Sequence, residues 1–194
     1  MKFSELDDQQ LLEFALSAME GDVRAFNELV RRNQSWVRAN CRHITRGGEE
    51  EDLAQEVFLK VYFGLAKFQG KASFKTWVGK IKANHCLNHL RKLNARPKAT
   101  DELTEINEDV IAVDPKAPTA LATADERRRI EAILDQMSDT LRVPLVLCDM
   151  DEMGYQEIAD LLGVGLSAVK MRIKRAREEF RRRLDGVEPS MEAS

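Results

Sequence analysis

Two sets of residues in this chain have the types and spacing to handle nucleic acid. The first lies in LLGVGLSAVKMRIKRAR, residues 161–177. Laid out at about 100° per residue, Lys170, Met171, Lys174 and Arg175 occupy one side of a helix. Arg172 and Arg177 flank them, and Val169, Ile173, Ala176, Phe180 and Leu184 form a narrow apolar stripe on the other side. A helix buried along one edge and cationic along the other can enter a major groove, where its middle reads base edges and its flanks hold phosphates. Charge alone is also what a solvated helix face carries, so the neighbouring elements must decide between the two. The second set is Lys80, Asn84, Asn88 and Arg91, on a stripe distinct from the apolar Phe74, Val78 and Ile81. An Asn side chain presents both a donor and an acceptor to a base edge, while Lys and Arg hold the backbone. Two amides ringed by cations suit an unpaired base, whose Watson–Crick edge is open.

The elements that would position the first set are a helix, a tight turn and a second helix. Ile158, Ala159 and Leu162 give the first helix its inner stripe. Gly163-Val164-Gly165 supplies a turn that tolerates positive φ, and Ser167 is expected to cap the second helix. This is a helix-turn-helix pattern, and it makes a merely solvated basic face the poorer reading. Ile130, Ile133, Leu134 and Met137, then Val143, Val146 and Leu147, predict two further helices upstream.

The second set belongs to a front half that is helical almost throughout. Leu11, Leu12, Ala15 and Met19 recur at helix spacing up to a break at Gly21-Asp22. Phe26, Leu29, Val30, Trp36, Val37 and Ile44 follow, and Gly47-Gly48 stops that run. A new helix opens at the acidic cluster 49–52, which suits the positive end of a helix dipole, and carries Leu53, Val57, Val61 and Leu65 inward as far as Gly70. Ser73 is placed to cap the next helix, residues 74 to about 93. Between the halves, from about 95 to 124, prolines and acids outnumber apolar residues, as in a tether. The expected architecture is therefore all-α: a helical domain at 1–95, a flexible acidic linker at 96–124, a second helical domain at 125–185 and a disordered tail at 186–194.

Bulk properties narrow the function. The chain has 194 residues, 43% hydrophobic and 32% charged, enough for two small cores. Aromatics at 6% favour helices packed through aliphatic side chains. No apolar run nears the roughly 20 residues that span a bilayer, and Glu5, Asp7 and Asp8 follow the start where a signal peptide would turn apolar, so the expected compartment is the cytoplasm with no membrane insertion. The net charge of −3 is silent about nucleic acid, because phosphates respond to local patches. Cys41, Cys86 and Cys148 form no Cys-x-x-Cys pair and read as buried thiols rather than bridges. His85 and His89 are four apart beside Cys86, a spacing that can chelate zinc, but neighbouring residues on a helix diverge too far for Cys86 to join both. Neither a phosphate-binding glycine loop nor a hydrolase or zinc-protease signature is present, so no enzymatic activity, cofactor or metal is expected.

YQEIADLLGVGLSAVKMRIKRAREEF resembles domain 4 of bacterial sigma factors, particularly the small extracytoplasmic-function class of the sigma-70 family. Tyr155, Glu157, Ile158, Ala159, Leu162, Gly163, Val169, Lys170, Arg172, Arg175, Ala176 and Arg177 carry that likeness. Ala168 stands where the family usually has Thr and Met171 where it has Ser, so the −35 sequence read would be unusual, with Met171 able to touch a thymine methyl. The segment from Glu49 to Lys92 resembles sigma domain 2. It shows an Asp-x-x-Gln-Glu-x-Phe block, a Phe-x-Gly turn at Phe68, a Phe-x-Thr-Trp start and a helix ending in Asn and Leu-Arg.

The resemblance implies three surfaces. Asp52, Gln55, Glu56 and Phe58 would grip the β′ clamp helices of core RNA polymerase, with the β flap as a further contact. Phe68, Lys80, Asn84, Asn88 and Arg91 would bind melted −10 DNA, the position of Asn84 taking part in reading a flipped-out base. Ser167, Lys170, Met171, Arg172, Lys174, Arg175 and Arg177 would bind the −35 duplex, while Trp77 matches a packing position. Such proteins are usually held inactive by an anti-sigma factor. The expected function is then promoter-specific transcription initiation. The competing reading, a stand-alone helix-turn-helix regulator of duplex operators, explains the rear half only, leaves the front stripe idle and lacks a heptad seam for a dimer.

Overall fold

Apolar spacing, acidic helix starts and glycine stops recur as folded elements in the computed structural model, which describes residues 2–17, 22–94 and 124–186. The expected linker up to residue 123 and, beyond Gly186, the expected tail lie outside the described residues, as do Met19 and Gly21. Those described form eight α-helices and two short 3-10 turns, with no strand among them. The chain divides into two compact units, Met1–Arg91 and Lys92–Ser194.

In the front unit, α1 (Asp8–Ser17) starts at a capping box. Asp7 Oδ1 accepts the Gln10 N–H at 2.8 Å and Gln10 Oε1 accepts the Asp7 N–H at 3.0 Å. Its Leu11, Leu12 and Ala15 are buried, and α1 packs on α2 (Arg24–Thr45). Phe26, Leu29, Val37, Cys41 and Ile44 form the inner face of α2. Arg46, Gly47 and Gly48 then take positive φ in succession (67°, 77° and 94°), which reverses the chain into α3 (Glu50–Gly64). Leu53, Val57, Val61 and Leu65 are all 4% exposed or less, as their spacing predicts. Each such side chain contributes roughly 1.5–3 kcal/mol by leaving water.

The expected helix end differs. α3 stops at Gly64 and tightens into a 3-10 turn at Leu65–Lys67, whereas Gly70 (φ 68°) belongs to the loop beyond. At Gly64 itself a Cβ would lie 3.3 Å from the Trp77 ring, so the missing side chain lets the indole approach closely. Ser73 caps α4 (Phe74–Asn94) as anticipated, its Oγ accepting the Thr76 N–H at 3.1 Å. Phe74, Val78, Ala83, Cys86 and Leu87 are the buried apolar residues of α4, with Ile81 only half-buried. Lys82 is fully buried, its Nζ 4.7 Å from the centroid of the Trp36 ring, a cation–π contact that a hydropathy pattern cannot show.

The rear unit is four helices: α5 (Ala124–Gln136), α6 (Asp139–Asp149), α7 (Tyr155–Leu162) and α8 (Leu166–Leu184). α8 packs against the other three. Ile133, Leu134, Met137, Val143, Val146, Leu147, Ile158, Val169 and Ile173 make the core. Gly163 takes φ 69° at the end of α7, and its N–H and that of Val164 both reach the Ala159 carbonyl. Among the described residues no helix is long and apolar enough to cross a membrane.

Candidate nucleic-acid interface

Burial of Val169, Ile173 and Ala176 fixes the rotation of α8, and with it the face left outward. Lys170, Lys174 and Arg175 are exposed there, with Met171 and Arg172 half-buried beside them. Several other cations of the rear unit are engaged: Arg183 bonds Glu179 and Gln136, Arg142 bonds Asp139, and Arg129 bonds the Leu184 carbonyl. Lys170, Arg172, Lys174 and Arg175, in contrast, pair with no carboxylate among the described residues. Unpaired cations gathered along one helix are the kind of surface that an external polyanion can neutralise.

Two expected members of this face are placed differently. Ser167 does not cap α8. The N-cap is Gly165, in extended backbone (φ −66°, ψ 152°), and the helix starts at Leu166, which leaves the Ser167 hydroxyl exposed in the first turn. Arg177 turns back to α6. Its Nε and one terminal nitrogen donate to the Asp149 carboxylate at 3.0 and 2.5 Å, with Cys148 Sγ at 3.5 Å. The hydrogen bond to Asp149 raises its already high pKa further, so the guanidinium is a fixed clamp between α6 and α8. Burial, with the negative charge of Asp149 behind it, pushes the Cys148 thiol up to about 12.

On α4, Lys80, Asn84, Asn88 and Arg91 are all exposed along one face. Asn84 donates through Nδ2 to the Lys80 carbonyl at 3.0 Å, and Arg91 donates to Asn88 Oδ1 at 2.9 Å, so both amides are oriented from within the helix. Phe68 is half-buried, its ring centroid 5.1 Å from that of Trp77, which in turn lies 6.1 Å from Phe74. Trp77 is thus a packing residue that holds Phe68 in place.

A third face lies on α3. Asp52, Gln55 and Glu56 are exposed, whereas Phe58 is 9% exposed and belongs to the core, at the floor of an open groove between α2 and α3. Glu56 is not wholly free for a partner: its Oε2 lies 3.0 Å from His85 Nε2, and Glu49 Oε2 lies 3.1 Å from His89 Nε2. The two histidines therefore face separate carboxylates. Sequence reasoning missed Leu59 and Phe63, which are 57% and 76% exposed. They fall on the same side of α3 as Asp52, Gln55 and Glu56, and their position off the Leu53/Val57/Val61 stripe was the available signal.

Known proteins share this arrangement. Residues 29–96 match sigma-70 region 2 and residues 127–180 match sigma-70 region 4. The ECF RNA polymerase sigma-E factor of Escherichia coli (strain K12) is 31% identical over 179 residues, covering 90% of this chain and 92% of that protein. The RNA polymerase sigma-H factor of Pseudomonas aeruginosa is 33% identical over 177 residues, covering 88% of this chain and 90% of that protein. Among solved structures, CnrH in complex with the cytosolic domain of CnrY has a TM-score of 0.57 at 23% identity, covering 93% of this chain and 99% of that one. The sigma factor RpoE in complex with the anti-sigma factor NepR, from Bartonella quintana, has a TM-score of 0.57 at 18% identity, covering 82% of this chain and 96% of that one. Both show the same fold.

A region-2 module followed by a helix-turn-helix region 4 defines an RNA polymerase sigma factor, the subunit that gives transcription initiation its promoter specificity. Within that class, the chain belongs to the extracytoplasmic-function sigma factors of the sigma-70 family.

Proposed function

We propose that promoter choice by this sigma factor is the sum of two readouts. The α8 face of Lys170, Met171, Arg172, Lys174 and Arg175, with Ser167 at its start, binds the −35 duplex. The α4 face of Lys80, Asn84, Asn88 and Arg91, with Phe68 nearby, holds an unpaired −10 base. Arg177 contributes indirectly, by fixing α8 on α6. The observation that carries the reading is the cation set on α8, in which Lys170, Arg172, Lys174 and Arg175 pair with no carboxylate among the described residues. Core polymerase would meet the α3 face, through Asp52, Gln55 and Glu56 together with Leu59 and Phe63, over a groove that Phe58 shapes. The β′ clamp helices are the expected partner there, and the β flap the partner of the rear unit.

CnrH and the RpoE of Bartonella quintana were solved with CnrY and the anti-sigma factor NepR, and an anti-sigma factor is inferred for this chain as well. It works in the cytoplasm, where core polymerase is, and strand separation draws on binding energy rather than on any reaction catalysed by the chain.

Run-off transcription with core polymerase over a promoter library is the direct test. Transcripts that depend on both a −35 and a −10 motif are expected. A chain that fails to start RNA at any promoter, yet binds duplex sites tightly alone, would instead be an operator-binding regulator. In the same assay Arg175→Ala is expected to cost about 1–3 kcal/mol at promoters with the preferred −35 element and to flatten discrimination among −35 variants. Uniform weakening with discrimination intact would make Arg175 a phosphate contact.

A further inference from the structure

Cys41 on α2 and Cys86 on α4 are 45 positions apart in sequence, yet their Sγ atoms are 3.4 Å apart and both residues are 0% exposed. Both are thiols in this structure. We propose that they form an oxidation site, a dithiol that a peroxide-class oxidant closes into a disulfide strapping α2 to α4. A disulfide needs the sulfurs about 2 Å apart, so the gap to be closed is small.

The chemistry balances with hydrogen peroxide as the two-electron oxidant. One thiolate attacks a peroxide oxygen, the O–O bond breaks, and a sulfenic acid and one water result. The second thiol attacks the sulfenic sulfur, the S–S bond forms, the S–O bond breaks, and a second water leaves. Two thiols lose two electrons and two protons, and the peroxide is reduced to two waters.

Three features make the pair selective. Contact between the two sulfurs lets the second thiol capture a sulfenic acid before further oxidation. Complete burial means that oxidant reaches the site only when the α2–α4 packing opens locally, so the reaction reports on that opening. Cys148 is the one cysteine of the rear unit, so no neighbouring thiol can resolve its sulfenic acid, and burial with Asp149 also keeps its own thiol protonated near neutral pH. The strap encloses all of α3 in its loop. It also leaves the outer face of α4 untouched, since Asn84 and Asn88, two residues to either side of Cys86, are exposed on the opposite side of that helix. The inference does not depend on the promoter reading.

The test uses the full-length reduced protein treated with hydrogen peroxide under native conditions, quenched with catalase, alkylated after denaturation and mapped by peptide mass spectrometry. Cys41 and Cys86 are expected to leave the alkylated pool together, as one linked pair lighter by two hydrogen atoms and restored by dithiothreitol, while Cys148 stays alkylated. The thermal midpoint of the front unit, followed without reductant, is expected to rise by on the order of 10 °C. Cys86→Ala removes both effects and Cys148→Ser keeps both, with helicity checked by circular dichroism. If Cys86→Ala fails to fold, mapping of the wild-type chain decides. The proposal is overturned if Cys41 and Cys86 remain free after Cys148 has reacted, if both proceed to sulfinic acids without linking, or if the linked form melts no higher than the reduced one.

Discussion

Asn84→Ala is expected to slow open-complex formation by about 10–100-fold, the loss of one good base-edge contact, and to leave affinity for core polymerase within about twofold. Asn84 is exposed on α4, and its amide is held toward the Lys80 carbonyl at 3.0 Å. That bond uses one of the two amide hydrogens, which leaves a hydrogen and the oxygen for an incoming base. Alanine is the better helix former, so the substitution does not weaken α4 itself. The α3 face assigned to the polymerase holds Asp52, Gln55 and Glu56 and does not include this side chain, so the two readouts should separate. Fluorescence from a base analogue placed in the −10 element gives the melting step, and titration of labelled protein with core polymerase gives the affinity. Equal loss in both would show that Asn84 supports the fold or the polymerase contact, not a melted base.

What the sequence revealed was local. The Leu53/Val57/Val61/Leu65 stripe, the Ser73 cap and the Gly163 turn depend on residues within a turn or two of each other, and all three are present in the structure. The outward stripes of α4 and α8 were legible for the same reason, because helical spacing fixes relative direction whatever the helix packs against. What it hid was set by partners distant in the chain. α3 ends at Gly64, against the Trp77 ring, rather than at Gly70. Lys82 is buried with its ammonium against the Trp36 ring, and Arg177 leaves the cationic comb for Asp149 on α6. The scattered spacing of the cysteines argued for buried thiols rather than bridges, which Cys41 and Cys86 are, but it could not show that α2 and α4 bring their sulfurs into contact. Ser167 lost the cap to Gly165 through a two-residue shift in where α8 begins, a boundary that propensity alone rarely resolves.

The rear unit is held by a residue that reads as a surface cation. Arg142 on α6 has a side-chain exposure of 0%, and it donates to Asp139 Oδ1 at 2.9 Å. It sits next to Val143 and one turn before Val146, both buried on the helix that packs against α8. Arg142→Ala is therefore expected to destabilise this unit by about 2–4 kcal/mol, from the cavity left by a long side chain and the loss of its charge-assisted bond. The value falls short of breaking a fully buried ion pair, because Asp139 is 38% exposed and can rehydrate. Arg142→Met should cost less than about 1.5 kcal/mol, since it keeps most of the volume and removes the penalty of burying a cation. Urea unfolding separates this from effects on the front unit: both tryptophans, Trp36 and Trp77, lie in the front unit, so their fluorescence follows that unit while circular dichroism follows both. In Arg142→Ala the dichroism transition should move to lower urea with the fluorescence midpoint unchanged, and −35-dependent transcription should fall as the α8 scaffold loosens. If Ala and Met were equally damaging, the guanidinium would be acting through its hydrogen bonds rather than its volume, and Asp139→Asn would then have to reproduce the loss.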